Sequence, residues 1–229
     1  MIIWSLTSWK QRITTCLPTI KTMLDQTMKV PVELNLDHEN FPNERADLPE
    51  DLLELEKSNQ FFTIYFDRDK DAHCWQKMQP TWKRHDDQPL VLFTADDDIQ
   101  YPQNYVEKSL ECLKGNDWLC TSHETLTQGQ TMVYGWRAVE ALRRHVTEEL
   151  MFECPLDDFP VYHIMQKYCL RRGKPSFPGS WDTWDRNIPY SFRREFYKDQ
   201  NPEEIFKGYY PQEEFQREFE YLRKKGVIQ

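Results

Sequence analysis

The chain has 229 residues, enough for one domain with a sizeable hydrophobic core, and its formal net charge is −9. Aromatic residues make up 14% of it, which excludes the aromatic-poor composition of acidic disordered chains. The acidic balance argues against a nucleic-acid partner, because that affinity depends on clustered Lys and Arg. An anionic small ligand is still compatible with this charge if a cation bridges it to the protein.

The start of the chain and its cysteines indicate where the protein works. The segment MIIWSLTSWKQR has no charged n-region, so it does not predict a signal peptide. No window approaches the roughly 18 apolar residues of a transmembrane segment. The six cysteines are scattered without a CxxC pair, which favours buried free thiols over disulfides or a metal–thiolate site. We therefore expect a cytoplasmic protein, one that could lie peripherally at a membrane.

Strands and helices alternate in the first half of the chain. The predicted strands are 2–7, 30–37, 61–66 and 90–94. The predicted helices between them are 13–28, 48–57 and 74–85, the last kinked at Pro80. This order predicts an α/β fold whose mostly parallel sheet is flanked by helices on both faces.

The second half is expected to add helices and one more strand. The predicted elements are a helix over 102–114, a strand over 117–122, a loop or hairpin over 123–134, and helices over 136–145 and 157–172. The following residues mix Pro, aromatic and charged types, and 202–226 reads as one or two amphipathic helices. We predict one domain over 1–175 and a C-terminal helical extension over 176–229, packed on that domain or on a partner.

Three consecutive aspartates follow the fourth predicted strand, in FTADDDIQYP (93–102). Ligands of open α/β sheets bind beyond the carboxyl ends of the strands. If the extended geometry continues, Asp96 and Asp98 project to one side, and two such carboxylates suit a hard divalent cation. Mg²⁺ or Mn²⁺ held there could receive two phosphate oxygens of a nucleotide. The alternative is a solvated acidic turn that caps the next helix.

Three segments resemble small stand-alone GT-A-type glycosyltransferases of bacterial and viral surface-glycan synthesis. They are SLTSWKQR (5–12), FDRDKDAHCWQKMQP (66–80) and FTADDDIQYP (93–102). Members of this class use nucleotide-sugar donors, and their DXD motif holds Mn²⁺ or Mg²⁺ against the donor diphosphate. The resemblance covers residues 2 to 173 and implies a GT-A-like sheet. It also implies a nucleoside diphosphate-sugar donor, with UDP-sugar as the first choice, and a glycan or lipid-linked acceptor.

The resemblance also implies which residues contact the donor. Asp98 would ligate the metal directly, Asp96 would contact the ribose or the metal and its water shell, and Asp97 would lie in the same donor-binding loop. Four further residues would contact the nucleotide or the diphosphate: Thr7, Ser8, Asp67 and Lys77. Ordinary turn or helix-surface roles are the alternatives for Thr7, Ser8 and Lys77, and two neighbouring aspartates compete with Asp67.

A second acidic pair, Asp157 and Asp158, opens a predicted helix. A helix N-terminus stabilises negative charge, so capping alone accounts for one of the two. In inverting GT-A enzymes a carboxylate at a comparable place deprotonates the acceptor hydroxyl, which implies Asp158 as the base and Asp157 as the cap. By the same resemblance, Gly135 and Trp136 would form the acceptor floor.

The sequence departs from the GT-A pattern near its C-terminus. Many of these enzymes supply a further metal ligand there, often His, whereas the last histidine here is His163. Asp182 or Asp185 could replace it, and the aromatic residues around them could form a lid or simply pack. The leading hypothesis is a metal-dependent hexosyltransferase. The alternatives are a sugar nucleotidyltransferase, although SLTSWKQR lacks the glycine-rich loop usual there, and a non-catalytic nucleotide- or glycan-binding protein.

Overall fold

The computed structural model describes residues 1–120, 131–155, 157–168, 170–173 and 212–227, with the backbone alone at 120, 131, 158, 159 and 212–216. The strands are β1 Ile2–Leu6, β2 Val32–Asp37, β3 Phe62–Arg68, β4 Val91–Ala95, β5 Trp118–Cys120, β6 Thr131–Tyr134 and β7 Arg172–Gly173. The α-helices are α1 Leu17–Leu24, α2 Glu50–Ser58, α3 Gln79–Arg84, α4 Tyr105–Leu113, α5 Trp136–His145, α6 Glu148–Glu153, α7 Asp158–Lys167 and α8 Gln212–Lys224.

The strands form one sheet in the order β3-β2-β1-β4-β6-β5-β7. Neighbours run parallel except for β6, which is antiparallel to both β4 and β5. The predicted mostly parallel α/β sheet flanked by helices is thus confirmed. The chain places β2 and β3 on one side of β1 and then crosses to add β4 on the other. Strand order therefore reverses between β1 and β4, where open α/β sheets bind their ligands.

A hydrophobic layer covers each face of the sheet. Successive strand residues point to opposite faces, so Trp4 and Leu6 pack in one cluster and Ile3 in the other. The first cluster includes apolar residues of α1, α2 and α4, and the second includes those of α3 and α5–α8. The free thiols of Cys16 and Cys154 are buried in these layers, and burial raises the pKa of Cys154 to about 12.

Three predicted helices differ in the structure. The helix predicted over 13–28 divides into a 3-10 turn, Ile13–Thr15, and α1, which ends at Leu24. Residues 74–85 divide into a 3-10 turn, His73–Lys77, and α3, with the break at Met78 (φ −134°). Pro80 does not kink a continuous helix, because it occupies the first turn of α3, where its missing N–H has no partner to lose. The helix predicted over 157–172 ends at Lys167, and Arg172 and Gly173 instead extend the sheet beside β5.

Strand β6 lies where a loop or hairpin was expected, and its direction matters for the site. It pairs Tyr134 with Leu92 and Thr131 with Ala95, so the C-terminal end of β6 lies beside the start of β4. The chain then turns into α5 at Gly135, whose N–H donates to Asp117 O at 2.8 Å. An added Cβ at Gly135 would lie 2.8 Å from that same oxygen, so this close approach requires glycine.

The C-terminal helix α8 packs on the body of the protein. Leu222 is fully buried in the second hydrophobic cluster. Lys225 Nζ lies 2.8 Å from Glu149 Oε2, and Lys167 Nζ donates to Gly226 O at 2.7 Å, which ties the chain after α8 to α6 and α7. None of the helices in the described part of the chain combines the length and apolar character needed to cross a bilayer.

Candidate active site

The acidic triplet lies at the point where strand order reverses. Asp96–Asp98 follow the end of β4, and Ser8 lies two residues beyond the end of the neighbouring β1. Ser8 Oγ donates a hydrogen bond of 2.6 Å to Asp97 Oδ2, which joins the two strand ends across the reversal. The predicted juxtaposition of Ser8 with the triplet is therefore present in the fold.

The triplet forms a turn and does not continue β4. The strand ends at Ala95, and Asp97 and Asp98 lie in a turn. Asp97 and Asp98 share one partner, Arg12, whereas Asp96 faces Lys77. The expectation that Asp96 and Asp98 project together, away from Asp97, is therefore wrong, because it required an extended backbone through all three residues.

Arg12 is the cation that holds the turn. Its Nη2 lies 2.5 Å from Asp97 Oδ1 and 2.9 Å from Asp98 Oδ2, and the side chains are only 10%, 8% and 2% exposed. The backbone N–H of Arg12 donates to Trp9 O at 2.9 Å, so a tight turn after β1 brings the guanidinium back over the strand ends. Charge-assisted pairs with so little water around them are strong and rigid.

The residues after the triplet anchor it to α1 and to the core. Thr19 Oγ1 donates to Asp97 O at 3.0 Å, and the Tyr101 N–H donates to Thr22 Oγ1 at 3.0 Å. The Tyr101 ring packs edge-on against Trp4 at a centroid distance of 4.7 Å. These contacts explain the apolar and aromatic residues of the Ile-x-Tyr-Pro sequel, which fix the position of the acidic turn.

A second cation, Lys77, joins the triplet to Asp157. Lys77 Nζ lies 3.4 Å from Asp96 Oδ1 and 3.4 Å from Asp157 Oδ2, and the Asp157 side chain is only 3% exposed. Asp157 is the N-cap residue of α7, as predicted, but its carboxylate makes no side-chain capping hydrogen bond and pairs with Lys77 instead. Asp158 is the first residue of α7, and its side chain lies outside the described part of the structure.

Burial shifts the ionisation of two carboxyl groups in this cluster. It raises the pKa of Asp97 to about 6, although Arg12 and Ser8 act in the opposite direction. Burial also raises the pKa of Asp157, a rise opposed by Lys77 and reinforced by the charge of Asp96. A carboxyl group with a raised pKa is the type of residue that accepts or donates a proton near neutral pH.

Two predicted donor contacts lie at the carboxyl ends of neighbouring parts of the sheet, Thr7 directly after β1 and Asp67 near the end of β3. Thr7 Oγ1 donates to Asn35 O at 2.7 Å and is half-buried. Asp67, whose side chain is 39% exposed, is ion-paired with Arg84. These polar contacts go to Asn35 and Arg84, and a role for Thr7 or Asp67 in nucleoside binding stays a prediction.

The predicted acceptor floor is in the wrong place. Because β6 is antiparallel to β4, Gly135 and Trp136 follow the end of β6 at the edge opposite the triplet. The resemblance to GT-A enzymes implied an adjacent turn, but the direction of β6 in this chain could not be predicted from the sequence. The proposed replacements for a C-terminal metal ligand, Asp182 and Asp185, lie outside the described residues, as do the aromatic residues around them.

The chemistry of these carboxylates suits a divalent cation, provided that a bound ligand supplies further oxygen atoms. Carboxylate oxygens are the ligands that Mg²⁺ and Mn²⁺ prefer, and four carboxylates with two cations leave two excess negative charges when all are ionised. In the described part of the chain, no three His, Cys, Asp or Glu side chains converge on one point. A cation here would therefore need further oxygens from a ligand, as Mg²⁺ commonly does with substrate phosphates.

Sequence reasoning missed Arg12 as a residue of this site. The available signal was indirect: a buried acidic turn requires counter-charges, and Lys10 and Arg12 follow the strand adjacent to β4. Choosing between these two basic residues depends on the backbone turn after Trp9. The turn buries Arg12 and leaves Lys10 exposed.

This α/β architecture is shared with solved structures of other proteins. The chain is similar to residues 1–349 of TarS from S. aureus, solved in complex with UDP, with a TM-score of 0.54, 8% identity and coverage of 76% of this chain and 57% of that one. It is also similar to a nucleoside-diphosphate-sugar pyrophosphorylase from Vibrio cholerae RC9, with a TM-score of 0.50, 10% identity and coverage of 76% and 91%. The chain thus spans little more than half of the TarS structure. No protein-family model and no curated protein matches the sequence.

Proposed function

We propose that the protein is a metal-dependent glycosyltransferase that moves a sugar from a nucleoside diphosphate-sugar to a hydroxyl group of a glycan. The observation that carries the proposal is the group of four carboxylates and two cations where strand order reverses. The fold supports a nucleotide-sugar ligand in general. The UDP bound to TarS makes UDP-sugars the first donors to test.

On the donor side, Asp98 and Asp96 would hold Mn²⁺ or Mg²⁺ together with the diphosphate. The cation, when bound, would neutralise negative charge that builds on the leaving diphosphate. Ser8 and Thr19 keep the acidic turn in register with β1 and α1 through their hydrogen bonds to Asp97. Thr7, at the end of β1, would contact the nucleoside.

On the acceptor side, a carboxylate at the start of α7 would take the proton of the attacking hydroxyl. Asp157 is the better supported of the two candidates, because its carboxylate lies in the cluster and burial raises its pKa. Lys77, between Asp157 and Asp96, would hold the proton-accepting oxygen in position. Asp158 stays the second candidate for this role.

The metal role is tested by Asp98→Ala. We expect Mn²⁺-dependent release of UDP from a UDP-sugar to fall at least about a hundred-fold, because charge stabilisation by a metal is worth several kcal/mol. Asp86→Ala is the matched control, since Asp86 is an exposed aspartate just before β4, at the other edge of the sheet. Undiminished turnover of the Asp98→Ala variant with Mn²⁺ would rule out the proposed metal role.

A thermal-shift panel combined with turnover assays separates this function from its rivals. UDP, GDP, CDP and their sugars are each tested with Mn²⁺ and with EDTA. A glycosyltransferase requires the cation for stabilisation and releases the nucleoside diphosphate. A nucleotidyltransferase instead consumes a nucleoside triphosphate with a sugar phosphate. A binding protein is stabilised equally with EDTA and shows no turnover.

A further inference from the structure

The guanidinium of Arg12 is ion-paired with the carboxylate of Asp98, which is a metal ligand in the proposed function. One nitrogen, Nη2, contacts both Asp98 Oδ2 at 2.9 Å and Asp97 Oδ1 at 2.5 Å. The three side chains are almost completely buried, so solvent and salt screen this attraction little. A divalent cation that bound Asp98 would lie beside a buried positive charge, and the two would repel each other strongly.

Asp97 has hydrogen bonds in addition to its ion pair with Arg12. Asp97 keeps the hydrogen bond from Ser8 to its carboxylate and the bond from Thr19 to its backbone oxygen. Asp98 is ion-paired with Arg12 through its Oδ2. Departure of the guanidinium would leave the two hydrogen bonds of Asp97 in place and would remove a positive charge from beside the Asp98 carboxylate.

We propose that Arg12 is a resident counter-ion that competes with the divalent cation for Asp98 and makes cation binding conditional on the donor. The inference rests on the proposed function and deepens it. The diphosphate of a donor offers the guanidinium another anionic partner, and the planar fork of arginine matches phosphate oxygens well. Cation and diphosphate then enter cooperatively, and each tightens the binding of the other by the same factor.

The first experiment measures Mn²⁺ affinity without nucleotide, from the electron paramagnetic resonance signal of free Mn²⁺. Arg12→Gln is expected to bind Mn²⁺ at least about ten-fold more tightly than the wild type, because it removes a like charge from the site. Arg12→Lys is expected to fall between them, since one ammonium group cannot reproduce the guanidinium fork. Equal affinity of the wild type and Arg12→Gln, including no measurable binding by either, overturns the proposal.

Arg45→Gln is the matched control for net charge. It removes the same charge from an ion pair with Glu56, whose contact of 2.8 Å lies near α2 and away from the triplet. Its Mn²⁺ affinity is expected to stay within about two-fold of the wild type, since exposed charges at a distance are screened. A ten-fold gain in Arg45→Gln would mean that net charge, and not competition at Asp98, explains the Arg12 variants.

The second experiment uses the wild type and does not depend on the folding of Arg12→Gln. Mn²⁺ affinity is measured with and without a saturating nucleoside diphosphate, UDP first and then GDP and CDP. The proposal expects a gain of at least about ten-fold from the nucleotide, and a smaller gain in Arg12→Lys. A nucleotide that binds without changing Mn²⁺ affinity overturns the proposal. If none of the nucleotides binds, the proposed function fails, while the Mn²⁺ affinities of the Arg12 variants still decide the role of Arg12.

Discussion

At the candidate site, a single lysine lies between two carboxylates that would otherwise repel each other. Asp96 and Asp157 come from distant parts of the chain, and Lys77 lies between them with its side chain 8% exposed. Removing one partner of a buried ion group leaves charge without compensation, which costs more than the group contributes as a whole. Lys77 is therefore required for stability at neutral pH whatever its part in catalysis.

The variant Lys77→Met tests this. We expect the free energy of unfolding at pH 7 to fall by about 3 kcal/mol, measured by urea denaturation. The pKa of Asp157 is already raised in the folded state, and loss of Lys77 raises it further. The folded variant then holds the Asp157 proton to higher pH than the folded wild type, so the deficit grows as pH rises above the pKa of Asp157 in the folded wild type, which itself lies above the unfolded carboxyl pKa of about 4. Lys108→Met, which removes an exposed pair with Glu111, should change stability by less than about 0.5 kcal/mol. A pH-independent deficit would contradict the coupling.

At the scale of elements, a polar network fixes α3 to the sheet. Glu33, buried in β2, accepts hydrogen bonds from Thr81 and Arg84 and contacts His85 Nε2 at 2.8 Å. Arg84 also pairs with Asp67 at the end of β3. Lys77 immediately precedes the break before α3, so this network sets the position of the residue that reaches Asp96 and Asp157.

We expect Arg84→Met to lower the free energy of unfolding by about 3 kcal/mol, because the buried side chain of Glu33 loses the cation with which it pairs. The double variant Glu33→Gln/Arg84→Met should lose less than the sum of the two single variants, since the unpaired charge is gone. Urea denaturation of all four proteins gives the coupling. Strictly additive losses would show that Glu33 and Arg84 do not stabilise the fold as a pair.

At the scale of the whole molecule, α8 closes the second hydrophobic layer. Leu222 is fully buried in the cluster that also contains apolar residues of α5, α6 and α7. Cys154 directly follows α6 and belongs to the same cluster. The helix α8 thus packs in the layer that contains Cys154, three residues before Asp157.

Leu222→Ala is expected to lower the free energy of unfolding by about 3 kcal/mol, because it leaves a cavity in a packed layer. The control is Arg223→Ala, an exposed neighbour on the same helix, which should cost less than about 0.5 kcal/mol. Both are measured by urea denaturation of the full chain. Equal effects of the two variants would mean that α8 contributes little to this layer in solution.

The sequence predicted those parts of the fold and site that depend on local pattern. Strands β1–β4 and the residues at their carboxyl ends were readable, so Ser8 and Asp96–Asp98 were placed at one edge correctly. The direction of β6 was not readable, because four residues carry no signal for parallel or antiparallel pairing, and Trp136 was misplaced as a result. The roles of Arg12 and Asp157 depend on backbone turns, where a shift of one residue changes which side chain enters the site.

The hydrogen bond between Ser8 and Asp97 spans 89 residues of chain. A contact of this range requires β4 to dock beside β1, and such non-local pairing is slow. If the proposed nucleotide or Mn²⁺ binding is present in the native protein, its recovery during refolding should lag behind recovery of helical circular dichroism. The recovery of that binding would then report when the last stage of folding is complete.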